Sequence, residues 1–195
     1  MKKIRVTERE YDLLTKRLEF FDTTRNNILT FSFTAVITII GIALSMNLDT
    51  ITVWICLVPF CLIIPFTARI SYYRLASAHI SSFLRKFAES DMRFTIGSDT
   101  VKEGRDKYYT GIAWLVNHEM VILSVATSCV FYIKYIYLVE RWSRMEYLSL
   151  SVPIVLSLIV YIISDGTYNY KKIVDNFVVE WNDYADAKKK QRQKG

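Results

Sequence analysis

The residues on which catalysis and metal binding most often depend are scarce here. The chain has two histidines and three cysteines among 195 residues. Cys56, Cys61 and Cys129 show no metal-ligand spacing and no C-x2-C pair occurs, so neither a zinc site nor a disulfide framework is expected. His118 and Glu119 resemble the start of the zincin motif H-E-x-x-H, but Ile122 stands where the second ligand belongs, and the metal site is absent. There is no glycine-rich phosphate loop and no G-x-S-x-G nucleophile turn. The opening MKKIRVTEREYDLL is charged within its first dozen residues and has no apolar core before a cleavage site, so no cleaved signal peptide is expected.

Charge is also missing over long stretches. There are 23 uncharged residues between Arg25 and Asp49, 19 between Asp49 and Arg69, and 18 between Glu146 and Asp165. Each is long enough, or nearly so, to cross a ~30 Å hydrocarbon core as a helix of about 20 residues. A fourth run, Met120 to Val139, contains Lys134, whose ammonium can snorkel to the interface from near a span's end. With 52% hydrophobic residues and a positive mean hydropathy, the chain is too apolar for an ordinary solvated domain of this size. We therefore expect an all-α, four-span membrane protein, with the cysteines inside spans as small apolar packing residues.

Lys and Arg are distributed unevenly: seven before the first span, eight between Arg69 and Lys107, seven after Asp165, so that 22 of 25 fall on one side. That side is expected to be the cytoplasm, with both termini inside. The organisation that follows is a cytoplasmic amphipathic helix (1–25), a transmembrane hairpin (26–68), a cytoplasmic basic helix and loop (69–112), a second hairpin (113–165), and a cytoplasmic amphipathic helix with a basic tail (166–195). The high pI follows from the same asymmetry, with nucleic-acid binding a secondary possibility.

Thr7 and Glu10 have capping-box spacing, flanked by Val6 and Tyr11 as a hydrophobic staple, so a helix should start at Glu8. No Pro or Gly interrupts it before Gly41, which predicts one continuous helix from the cytoplasm through the first span. Thr23, Asn27, Thr30, Thr34, Thr38, Gly41 and Ser45 share one stripe of it. Such a stripe suits two purposes. It can be a close helix–helix seam, or the wall of a water-filled pore made when several copies assemble. Pro59 and Pro65 can kink the second span, as in gates and in passive bundles alike. Ser149, Pro153 and Ser157 give the fourth span a weaker small-residue face.

Past the second span, Tyr73, Ala76, Ile80, Phe83, Leu84 and Phe87 form an apolar stripe, with Arg74, Ala78, Ser81 and Arg85 opposite. Residues 94–111, rich in glycine, read as loop and turn. Tyr170, Val174, Phe177, Trp181 and Tyr184 repeat the amphipathic pattern, and the final KKKQRQKG is expected to be disordered near lipid headgroups. Arg74 and His79 match the R-x4-H spacing of RNA-cutting HEPN domains, but five residues apart on a helix they point about 140° from one another. Leu75 also replaces the usual polar residue after the arginine, so a chance match on a basic helix is the reading. Glu119, at the mouth of a span, is interfacial or, in a channel, a ring of negative charge. No catalytic set emerges, and we expect no enzyme, no cofactor and no metal.

The stretch EYDLLTKRLEFFDTTRNNILTFSFTAVITIIGIAL, joined by the tight NLDT hairpin to a basic SYYRLASAHISSFLRKF helix, resembles the small four-span membrane effectors of bacterial antiphage systems. Among these are the effectors found beside nucleotidyltransferases, such as the Hailong channel subunit. Kiwa's membrane subunit and the small membrane accessories of some CRISPR loci are similar in size. The resemblance covers the whole chain as architecture and carries over no catalytic residue. It implies a homo-oligomeric channel in the bacterial inner membrane, closed until infection, with a nucleotidyltransferase partner whose nucleotide or oligonucleotide product acts on the cytoplasmic face. On this reading Thr30, Thr34, Thr38, Gly41 and Ser45 line the pore, because a single four-span bundle fills its own centre. The ligand would meet a basic face of Arg74, Arg85, Lys86, Lys102, Arg105 and Lys107. The competing reading is a non-conducting scaffold whose cytoplasmic aromatic stripes recruit a soluble defence partner to the membrane.

Overall fold

The computed structural model describes residues 6–47, 49, 51–88, 118–139, 144–165 and 170–193. Among them are five α-helices, a short 3-10 helix and no strand. Helix α1 runs from Glu8 to Ser45, α2 from Phe60 to Phe87, α3 from Glu119 to Leu138, α4 from Arg144 to Asp165 and α5 from Tyr170 to Gln193. Helices α1, α3, α4 and the Thr52–Phe87 stretch containing α2 are each long and apolar enough to cross a membrane.

The start of α1 is the expected cap. The Glu10 amide donates to Thr7 Oγ1 at 3.2 Å and the Tyr11 amide to the Thr7 carbonyl at 2.9 Å, while Glu8 and Glu10 place negative charge on the positive end of the helix dipole. From there α1 continues unbroken through Gly41 for 38 residues. Its far end is closed by Ser45, whose hydroxyl donates to the Ile42 carbonyl at 2.8 Å. Asp49 then makes the turn: its Oδ1 accepts from the Thr52 amide (2.7 Å), the Ile51 amide (3.0 Å) and the Thr52 hydroxyl (2.8 Å). The Asp49 amide in turn donates to Thr52 Oγ1 at 2.9 Å. This reciprocal pair starts the 3-10 helix Thr52–Leu57.

Pro59 marks a boundary within the second span. The 3-10 turn stops before it, and the Pro59 carbonyl accepts from the amides of Leu62 (3.0 Å) and Ile63 (2.9 Å), so its missing N–H falls at a helix start, where no partner is required. Only Pro65 lies inside α2.

The chain divides into two compact units. The first comprises the described residues of Arg25–Ser71 and Leu115–Tyr168. Its core is Val36 and Ala43 of α1, Val53, Cys56 and Leu57 of the 3-10 turn, Phe60, Ile63 and Ile70 of α2, Met120, Leu123, Phe131 and Tyr135 of α3, and Val160 of α4. Small hydroxyl residues make the α3–α4 seam. Ser128 Oγ lies 3.0 Å from Ser157 Oγ and 3.5 Å from the Pro153 carbonyl, and the Tyr132 hydroxyl donates to the Leu150 carbonyl at 2.8 Å. Ser71 ties α2 to α4 by donating to the Ile163 carbonyl at 3.1 Å. Outward, α1 and α4 expose Phe31, Ile37, Ile42, Leu148, Ile154, Leu158 and Ile162, and only 17% of each apolar window is buried. Bare apolar faces of that extent suit contact with hydrocarbon rather than water.

The second unit comprises the described residues of Met1–Thr24, Tyr72–Trp114 and Asn169–Gly195. Trp181 is its hub. The indole Nε1–H donates to Ser82 Oγ at 3.2 Å, and the ring meets those of His79 and Phe83 at 5.1 Å, Tyr184 at 6.0 Å and Phe87 at 6.1 Å. Ser82 passes its own proton to the His79 carbonyl at 2.7 Å. Val174 and Ala185 are buried on the same helix, and Phe21 of α1 packs on Tyr73 at 5.6 Å.

Two expectations are corrected. The tail expected to be disordered continues α5 as helix to Gln193, Lys188–Lys190 and Arg192 included. Residues 72–87 of α2 also bury both faces: Tyr73 and Leu84 as anticipated, but Arg74 and Ala78 as well, while Leu75 and His79 are exposed. The loop read over 94–111 lies outside the described residues.

Asp49 supplies a pH-dependent prediction. Hydrogen bonds from Thr52, then Ile51, to the charged carboxylate hold it below its ordinary value of 3.8. A lowered folded-state value means that the stabilisation is fully present above the unfolded value and is lost as pH falls through the folded one. Asp49→Asn should therefore lower the unfolding temperature in detergent equally at pH 7 and pH 5. The gap to the unsubstituted protein should begin to close below about pH 4 and vanish only once the pH has fallen through the lowered folded-state value.

Candidate functional site

The stripe on α1 faces away from the chain's own bundle. Thr30, Thr34, Thr38, Gly41 and Ser45 are all exposed, as are Thr23 and Asn27, whereas the core side of the helix is Ser32, Val36 and Ala43. A β-carbon built on Gly41 would meet nothing within 4 Å. Among the described residues, then, the stripe is not a packing seam, whereas α3 and α4 meet in one.

Each hydroxyl of the stripe for which a donor bond is seen gives its proton to its own helix. Thr34 donates to the Thr30 carbonyl at 2.9 Å, Thr38 to Thr34 at 2.8 Å, and Ser45 to Ile42. This back-bonding lets a hydroxyl sit on an apolar span without an orphaned donor. The hydroxyl oxygen keeps its acceptor capacity, so the exposed stripe offers acceptor oxygens along α1, with exposed Phe31, Ile37 and Ile42 elsewhere on the same helix.

At the end of this helix sits an arrangement that spacing alone did not reveal. Lys134 of α3 places Nζ 2.9 Å from the Leu44 carbonyl and 3.5 Å from the Met46 carbonyl. The last carbonyls of a helix lack intrahelical partners and carry its negative dipole end, so an ammonium there is paired and favourably placed. The sequence identified Lys134 as an oddity within a span, but its partner is 90 residues away. The α3 face Ser124, Thr127 and Ser128 was likewise missed, although its i, i+3, i+4 spacing is visible in the sequence; all three are buried and back-bonded.

Of the six residues assigned to a basic face, three lie among the described residues, Arg74, Arg85 and Lys86. Arg74 is buried and engaged with partners rather than exposed. Arg85 is half-exposed but paired with Asp175 of α5 at 3.1 Å. Lys86 is partly buried beside it on α2, and Lys102, Arg105 and Lys107 lie outside the described residues. The R-x4-H pair is split between a buried Arg74 and an exposed His79, whose ring lies against Phe177 and Trp181, each at 5.1 Å. His118 is fully buried at the start of α3, its carbonyl accepting from the Ile122 amide at 3.0 Å and its ring stacked on Tyr161 at 6.2 Å. Glu119 follows it, partly buried and engaged. Among the described residues no three His, Cys, Asp or Glu side chains gather as a metal site would require.

The two arginines differ in burial and should differ in their cost on removal. Arg74→Ala should cost on the order of 3 kcal/mol in thermal or denaturant unfolding, as a buried and engaged guanidinium is removed. Arg85→Ala should cost under about 1 kcal/mol, because its pair with Asp175 is solvent-screened.

Compared with protein-family models, with curated proteins and with solved structures, the chain finds no match in any of the three.

Proposed function

We propose that this chain is the subunit of an oligomeric ion channel, a membrane effector of bacterial antiphage defence in which the first helices of several copies surround the axis. The observation that carries the reading is the uncovered acceptor stripe Thr30, Thr34, Thr38, Gly41 and Ser45 on α1. A polar line along a span has no use toward lipid, and among the described residues no helix covers it. One protomer cannot conduct by itself, since the middle of its four-span unit is filled by Val36, Ile63, Phe131 and Val160, each fully buried. Assembly around α1 would supply a wet path with a polar wall.

The side from which the channel is controlled follows from the charge distribution. With 22 of 25 Lys and Arg in the segments that include both termini, those segments belong in the bacterial cytoplasm, where a partner protein or a nucleotide or oligonucleotide signal would act. The non-conducting scaffold has less to draw on. Of the α5 aromatic stripe on which it draws, Phe177 and Trp181 are packed against His79, Phe83 and Phe87 of α2, while Tyr184 is exposed.

Thr34→Leu and Thr38→Leu test the reading directly. Each should abolish current across planar bilayers and toxicity on expression, while membrane insertion and the detergent elution profile stay unchanged. Undiminished current in both variants would sink the pore assignment, and absence of current in the unsubstituted protein, with or without its signal, would favour the scaffold.

A further inference from the structure

Helix α1 is held unevenly along its length. It buries a narrow side, Ser32, Val36 and Ala43, and beyond Ala43 its residues Leu44, Ser45 and Met46 are exposed. The carbonyls of this last turn need partners. Ile42 has two, the Ser45 hydroxyl at 2.8 Å and the Met46 amide at 3.2 Å. The Leu44 carbonyl is met by Lys134 Nζ at 2.9 Å.

Lys134 projects from a well-anchored turn. Its neighbour Phe131 is fully buried, stacked on Tyr135 at 5.1 Å and tilted against Trp54 of the 3-10 helix at 5.4 Å. The less packed partner in this contact is therefore the end of α1, and the better packed one is α3. An ammonium within an apolar span is costly unless paired, and so is an unmet helix-end carbonyl, so each group satisfies the other, with the Met46 carbonyl a longer second acceptor at 3.5 Å.

We infer that Lys134 is the positioning residue that fixes the last turn of α1, and with it Ser45 at the end of the acceptor stripe, through its hydrogen bond to the Leu44 carbonyl. The inference deepens the pore reading and rests on it for its functional consequence. The contact itself can be tested without that reading.

The experiment compares the full-length protein, Lys134→Met and Lys134→Arg in lipid nanodiscs by hydrogen–deuterium exchange, with current measured in planar bilayers alongside. Lys134→Met keeps the length and loses the charge and donors. It should speed exchange of the Ser45 and Met46 amides about tenfold, the scale of a lost charge-assisted hydrogen bond, while α3 and the centre of α4 exchange as before. Current should fall severalfold, and Lys134→Arg should restore both readouts. Unchanged exchange over residues 42–47, an equal rise throughout the four spans, or no rescue by arginine would overturn the assignment. If the unsubstituted protein carries no current, the pore reading fails and the exchange pattern still decides the role of Lys134.

Discussion

An apolar span leaves its polar groups no water to turn to, and much of this structure follows from how they are satisfied. Ser32, Thr34, Thr38, Thr67, Thr127 and Ser128 each return their proton to a carbonyl three or four residues earlier on the same helix. Ser71 and Tyr132 give theirs to another helix, and Lys134 does the same for the exposed end of α1. Among the described residues, no buried side-chain nitrogen or oxygen lacks a partner. Because back-bonding satisfies only the proton, it leaves open where the oxygen's lone pairs point. On α3 the Ser128 oxygen stands in the seam with α4, and on α1 the stripe residues are exposed.

That distinction explains how much was legible beforehand. The four apolar runs, the Thr7–Glu10 cap and the unbroken course of α1 are local: run length, capping chemistry and the lack of a breaker before Gly41 determine them. Which side of a helix finds a neighbour is not local. The stripe on α1 and the hydroxyl face of α3 have the same kinds of residue at the same spacing, and only the fold shows that one is covered by Ser157 and Pro153 while the other is bare.

The charged positions divide in the same way. Counting Lys and Arg speaks to sidedness because the bilayer responds to the sum over a segment. Binding responds to individual side chains. Arg74 is taken into the interior because residues 72–87 of α2 have neighbours on both faces, and Arg85 is drawn to Asp175, a partner 90 residues on that helical periodicity does not reveal. The tail residues Lys188–Lys190 and Arg192 follow a packed stretch, Val174 to Ala185, that provides a helical template for extending α5 where composition alone argued for disorder.

Gly41 has a further meaning. In a single chain it is an unforced choice: nothing stands within 4 Å of a β-carbon at that position, and alanine is the better helix former there. Among the described residues, therefore, none requires a bare backbone at position 41. The position serves as a probe of the surroundings, since a neighbour beyond them is what could make a methyl group unwelcome there.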